Sequence, residues 1–92
     1  MLKILITVLF FVLNTISLKA EIVKDVKISG NTRVSEETIK IYGGIKINED
    51  YNEQQLNKVI NNLYSTNFFE NIEISLSNNV LDIRLIEYPV IN

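Results

Sequence analysis

From Leu56 to Tyr64 the apolar residues recur every three or four positions, as Leu56, Val59, Ile60, Leu63 and Tyr64, with Asn57, Lys58, Asn61 and Asn62 between them. From Ile72 they recur every second position, as Ile72, Ile74 and Leu76. A helical period therefore gives way to a strand period across the joint "STNFF". The first pattern predicts a helix over Glu53 to Ser65, with Asn52 and Gln55 approximating a capping box and Tyr51 and Leu56 a hydrophobic staple. The second predicts a strand over "NIEISLS". A two-residue hairpin turn at Asn78-Asn79 follows, because Asn tolerates positive φ. The last strand is "VLDIRLIEY", in which Leu81, Ile83 and Leu85 alternate with Asp82 and Arg84 until Pro89 ends it.

Upstream, "EIVKDVKISG" reads as one strand with Val26 and Ile28 on one face, and Gly30-Asn31 supplies a turn. "VSEETIKIYGG" reads as a short helix. Ser35 is its cap, Glu36 and Glu37 lie in its first turn, Val34 and Ile39 form a staple, and Gly43 is placed to end it in the left-handed conformation. The order is β-α-α-β-β and the expected class is α+β, a three-stranded mixed sheet covered on one face by two helices. Such a sheet has two free edges. One is expected at Ile72, Glu73, Ile74, Ser75 and Leu76, whose outward side chains (Glu73 and Ser75, then Ser77) are acidic or small rather than the Lys or Pro that blunts an edge. An open edge can accept another extended chain through main-chain hydrogen bonds, so these residues are the candidate protein-binding site. Proline at Ser75 is expected to stop that pairing.

The first twenty residues follow a different logic. "MLKILITVLFFVLNTISLKA" has a lysine near its start, an apolar run from Ile4 to Leu13 and a polar stretch ending at Ala20. This is the layout of a secretory leader with cleavage between Ala20 and Glu21, and the run is shorter than the roughly 20 apolar residues of a membrane-spanning helix. The expected organisation is a leader over 1–20, one domain over 21–89, and the start of a linker or following domain at 90–92. With Lys3 and Lys19 gone, nine basic residues become seven against eleven acidic, so the net charge moves from −2 to −4.

Composition removes most chemistry. The chain has no His and no Cys, which excludes imidazole bases, thiolate nucleophiles, His/Cys zinc sites, disulfides and a lipid-anchored cysteine. No basic patch suits a phosphate backbone, so no nucleic-acid partner is expected. The acidic pairs Glu36-Glu37 and Glu49-Asp50 read as helix-start and loop residues; a core this small offers no apolar cleft to split their pKa values. "NEDYNE" spaces oxygen ligands like a calcium loop, but it lacks the Gly at the sixth place, the twelfth position from Asn48 is Val59 rather than Glu, and helix capping explains Asn52. Neither a catalytic residue nor a metal or other cofactor is expected. Of the two adjacent phenylalanines, one is expected in the core and the other partly exposed, with Tyr42, Tyr51 and Tyr64 at the core rim and their hydroxyls in water.

Three stretches resemble a known family. "ISGNTRVSEETI", "LYSTNFFENIEISL" and "IEYPVIN" are similar to the first POTRA (polypeptide-transport-associated) domain of BamA-type outer-membrane protein assembly factors. The most specific pieces are Gly30-Asn31-x-Arg33, Leu63-Tyr64-x-Thr66 leading to Phe69-x-Asn71-Ile72, and Glu87-x-Pro89. Phe69 holds the family's Phe position, so the resemblance implies that it is the phenylalanine in the core; Asn48 and Asn67 stand where the family often has Gly, and both are compatible with left-handed backbone. The resemblance implies a periplasm-facing, non-enzymatic domain, with further POTRA domains and an outer-membrane β-barrel following in the same chain. Its implied partners are unfolded outer-membrane proteins, accessory lipoproteins and periplasmic chaperones, met partly by strand addition. POTRA domains also occur in two-partner secretion transporters, autotransporter assembly factors and FtsQ-type division proteins, and a purely structural spacer is a further alternative.

Overall fold

Both helices begin where a polar side chain satisfies their first free N–H groups. Ser35 caps α1 (Glu36–Gly43), its Oγ accepting from the Thr38 N–H at 3.2 Å. Asn52 caps α2 (Glu53–Tyr64) through the full reciprocal box: Asn52 Oδ1 accepts from the Gln55 N–H at 3.0 Å, and Gln55 Oε1 accepts from the Asn52 N–H at 2.7 Å. The computed structural model describes residues 20–90. The leader reading, apart from Ala20, and the reading of Ile91 and Asn92 lie outside the described residues.

Among the described residues five strands accompany the helices: β1 (Glu21–Val23), β2 (Asp25–Ser29), β3 (Glu49–Tyr51), β4 (Phe69–Ser77) and β5 (Val80–Glu87). The main sheet has three strands in the order β2-β5-β4, with β2 parallel and β4 antiparallel to the central β5. This is the mixed sheet the patterning implies. Asn78 and Asn79 close the β4–β5 hairpin with φ of 52° and 64°, both in the left-handed region, as a two-residue turn of the twist-compatible kind requires. Asn48 (φ 66°) and Asn67 (φ 62°) are left-handed as well.

The inward residues of β5, Leu81, Ile83 and Leu85, are buried against Ile39 of α1 and Val59 and Leu63 of α2 in one core, which Phe69 and Ile72 of β4 complete. Phe69 is fully buried, whereas Phe68 keeps 41% of its surface exposed and packs edge-on against Tyr42, ring centres 5.9 Å apart.

Four details differ from the sequence expectation. The first strand is two strands: at Lys24 the chain leaves one ladder, its N–H bonding the Asn79 carbonyl at 2.8 Å, and joins the next. The segment read as a plain connection forms β3, which pairs antiparallel with β1 in a small separate ribbon. The left-handed residue that closes α1 is Gly44, not Gly43. Gly44 is left-handed (φ 66°), and the Gly44→Ile41 and Ile45→Lys40 bonds, at 3.1 and 3.0 Å, close a Schellman motif around it. Gly43 is instead a buried helical residue beside Ile45 and Val59. Two tyrosine hydroxyls expected in water have protein partners: Tyr51 is buried and its hydroxyl accepts from the Lys46 N–H at 2.9 Å, and the Tyr64 hydroxyl accepts from the Ile72 N–H at 3.0 Å.

Candidate functional site

Strand β4 is the longest strand in the fold and pairs with β5 on one side only. Which of its main-chain groups are free follows from the turn. In a two-residue hairpin the flanking residues, Ser77 and Val80, exchange both N–H···O bonds, and antiparallel pairing then alternates. Ser77, Ser75 and Glu73 therefore direct their N–H and C=O groups at Val80, Asp82 and Arg84, while Leu76, Ile74 and Ile72 direct theirs away from the sheet. An independent contact agrees with this parity: the Ile72 N–H donates to the Tyr64 hydroxyl at 3.0 Å, outside the ladder.

The outward side chains of Glu73, Ser75 and Ser77 do not mark the outward main-chain groups of the edge, which belong to the alternate residues. Glu73 and Ser75 are exposed on the solvent face of the sheet, beside the Arg84–Asp82 pair (4.0 Å), and their amides are committed to β5. Proline at Ser75 would thus break the β4–β5 ladder rather than block the edge alone. Ile72 is buried, Ile74 and Leu76 are half-buried, and their side chains pack toward the core. Among the described residues, the N–H and C=O groups of Ile74 and Leu76 and the carbonyl of Ile72 have no partner.

The two ends of this edge are built differently. At the Leu76 end the ribbon strand β1 clasps the hairpin turn: Glu21 Oε1 accepts from the Asn79 N–H at 2.8 Å, and the Ile22 carbonyl accepts from Asn79 Nδ2 at 2.7 Å. At the Ile72 end lies the turn out of α2. There Thr66 Oγ1 donates to the Leu63 carbonyl at 2.6 Å and accepts from the Phe68 N–H at 3.2 Å, while the Asn67 N–H bonds the Tyr64 carbonyl at 3.1 Å. The spacing Leu63-Tyr64-x-Thr66 is therefore one device: Leu63 enters the core, Tyr64 reaches the edge and Thr66 folds the turn. The opposite edge of the sheet, β2, is five residues long and carries Lys27 at its centre, the charge that typically blunts an edge.

A second constellation, which the sequence did not reveal as a unit, holds the far end of β5. The Glu87 carboxylate accepts from the successive N–H groups of Thr32, Arg33 (3.0 Å) and Val34 (3.3 Å). Two of the motif pieces, Gly30-Asn31-x-Arg33 and Glu87-x-Pro89, thus meet. Gly30 (φ 87°) lets the loop approach the Leu85 carbonyl, and Asn31 Nδ2 braces the loop on the Val34 carbonyl at 2.8 Å. Desolvation raises the Glu87 pKa, but the N–H groups of Thr32, Arg33 and Val34 together lower it by more, and the carboxyl titrates below its ordinary range. Its stabilising contribution is complete above the pKa of an unfolded-chain glutamate and is lost as pH falls through the depressed folded value. Glu87→Gln keeps an acceptor but removes the charge, so its urea midpoint should lie below wild type by about 1 kcal/mol equivalent at neutral pH, a partly exposed charge-assisted bond. The gap should close toward pH 3. A gap that is the same at both pH values contradicts the assignment.

Among the described residues, no cluster of three or more acidic side chains could hold a metal ion, and no helix is long and apolar enough to cross a membrane. What the fold presents is an accessible strand edge, with a hydroxyl at one end and a clasped turn at the other.

Comparison with known proteins agrees with this architecture. The family described as POTRA, Surface antigen variable number repeat, matches residues 21–87. The chain is 32% identical over 72 residues to an outer membrane protein assembly factor BamA of Neorickettsia risticii (strain Illinois), covering 78% of this chain and 10% of that protein. It is 28% identical over 69 residues to the BamA of Neisseria meningitidis serogroup B, covering 75% of this chain and 9% of the relative. The chain thus spans about a tenth of the length of these relatives. The solved POTRA1-3 structure from the periplasmic domain of Anabaena Omp85 superposes with a TM-score of 0.63 at 14% identity, over 76% of this chain and 35% of that one. On the match over residues 21–87 and the shared fold, the chain belongs to the POTRA family.

Proposed function

We propose that this POTRA domain is an exported, periplasm-facing docking module of an outer-membrane protein assembly factor, and that it binds extended polypeptide segments by strand addition at β4. The observation that carries this reading is the unpartnered row of main-chain groups at Ile74 and Leu76 on a nine-residue edge strand without Lys or Pro. Main-chain pairing asks little of the partner's sequence, which suits a receptor for many unfolded barrel proteins. One short strand binds weakly, and other POTRA domains in the same chain would add avidity.

The relatives are about ten times longer than the matched region, which supports reading this domain as one part of a larger chain; on this reading it stands at the head of that chain, which ends in a membrane barrel. Cleavage between Ala20 and Glu21 suits the fold, because Ala20 is exposed and Glu21 is the first residue of β1. Accessory lipoproteins and periplasmic chaperones are the further partners this reading entails.

Cell fractionation tests it. An antibody against the domain should detect a large protein in the outer membrane whose mobility shifts on heating, as folded barrels do. A small soluble periplasmic band would mean a free-standing adaptor and overturn the assembly-factor part of the reading.

A further inference from the structure

We infer that the Tyr64 hydroxyl sets the register in which an extended segment pairs with β4, by occupying the first outward donor of the edge. The inference rests on the strand-addition reading and adds to it a positioning residue. Along the edge the outward groups run in order from the Ile72 N–H and C=O through those of Ile74 to those of Leu76. A paired antiparallel strand engages a residue fully only where both its N–H and its C=O are available. Tyr64 takes the Ile72 N–H at 3.0 Å and also donates toward Asn71 Oδ1 at 3.4 Å. Ile72 is left able to accept but not to donate. Between Ile72 and the hairpin turn, Ile74 and Leu76 are the residues that offer a complete pair, roughly 7 Å apart at the rise of an antiparallel strand.

The position of this stop is a consequence of the fold. Tyr64 is the last residue of α2, and its carbonyl is held by the Asn67 N–H in the turn that Thr66 closes, so its ring is anchored beside the start of β4. The ring is 40% exposed, so the phenol stands at the border between core and edge rather than inside the core. At the other end the β1 clasp on Asn79 bounds the hairpin turn. An incoming segment is thereby confined to a short window centred on Ile74 and Leu76. An extension of pairing past Ile72 requires the hydroxyl to give up its bond.

Tyr64→Phe in the exported chain separates this inference from the reading beneath it, because it deletes one oxygen from a partly exposed ring. Without ligand, the Ile72 amide should exchange with deuterium several-fold faster than in wild type. A labelled ten-residue peptide from a transmembrane strand of an outer-membrane barrel should bind the variant about two- to tenfold more tightly, the worth of one added main-chain hydrogen bond. Its amide footprint should extend from Ile74 and Leu76 to include Ile72. Asn71→Ala, which leaves the phenol but removes its own acceptor, should move the same readouts in the same direction by less. If the peptide shifts Ile74 and Leu76 in both proteins, but Ile72 stays unshifted and the affinity unchanged in Tyr64→Phe, the register role of Tyr64 is wrong while strand addition stands. If neither protein shows shifts at Ile74 and Leu76, strand addition itself is wrong, and the inference falls with it.

Discussion

Gly30→Ala should abolish cooperative folding at room temperature, whereas Gly44→Ala should lower the melting temperature by only several degrees. Both glycines are left-handed, with φ of 87° and 66°, so backbone preference alone does not separate them. Their surroundings do. A Cβ at Gly30 would stand 1.9 Å from the Leu85 carbonyl oxygen and 3.0 Å from its carbon, main-chain atoms of the central strand that cannot swing aside. At Gly44 the nearest atom is Asn62 Nδ2 at 3.7 Å, an ordinary contact.

The Gly44 change should therefore cost about 1 kcal/mol for the left-handed conformation, which in a domain of this size is a shift of roughly 4–8 °C. The Gly30 change must push the loop off β5, and with it the N–H groups of Thr32, Arg33 and Val34 that hold Glu87. A cost of about 4 kcal/mol or more is the scale of such backbone collisions, comparable with the whole stability of a small domain. Thermal melts followed by circular dichroism decide it: equal, modest shifts for both variants would contradict this account of the Gly30 loop.

Ile74→Pro should remove strand binding while Ile74→Ala retains it. Both substitutions forfeit the same half-buried side chain, at a cost of about 1–2 kcal/mol for partial burial. Only proline deletes the outward N–H and places a ring where the partner strand would lie. It costs the sheet no ladder bond, because the Ile74 N–H faces away from β5, the setting in which an edge strand tolerates proline. Peptide affinity should fall about tenfold or more in the proline variant, the loss of at least one main-chain bond together with a steric block. The alanine variant should stay near wild type. In cells, an assembly factor carrying Ile74→Pro should accumulate less heat-shifting barrel protein than one carrying Ile74→Ala. Equal assembly by two stably folded variants would refute edge docking and leave the domain as a spacer for its neighbours.

The elements whose evidence is local were legible from the sequence. The α2 stripe, the Asn52–Gln55 box, the Ser35 cap and the Asn78-Asn79 turn each depend on residues a few positions apart. The β1–β3 ribbon was not legible, because "EDY" has neither alternation nor an apolar run, and its pairing with Glu21–Val23 is a long-range choice made by the burial of Val23 and Tyr51. Glu87 and the loop from Gly30 stood out separately as parts of a family pattern. Their union was hidden, since a carboxylate that binds backbone N–H groups leaves no signature in the residues that donate.

The edge shows the same division. Alternation placed β4 and its exposed side chains, but which main-chain groups face outward is fixed by hairpin parity, and that shifted the decisive position from Ser75 to Ile74. Tyr64 reads in the sequence as a member of an apolar stripe with its hydroxyl in water, whereas that hydroxyl accepts from the Ile72 N–H. A periodic pattern carries no information about where a hydroxyl's hydrogen bond goes.

The most direct test of edge docking is an amide-resolved titration of the exported chain with two versions of one barrel-strand peptide, identical except that alternate amides of the second are N-methylated. Strand addition predicts shifts concentrated at Ile74 and Leu76 with the unmodified peptide, and none with the methylated one, which keeps every side chain but loses the donors on its pairing face. Shifts confined to α1 and α2, or equal binding of the two peptides, would contradict it.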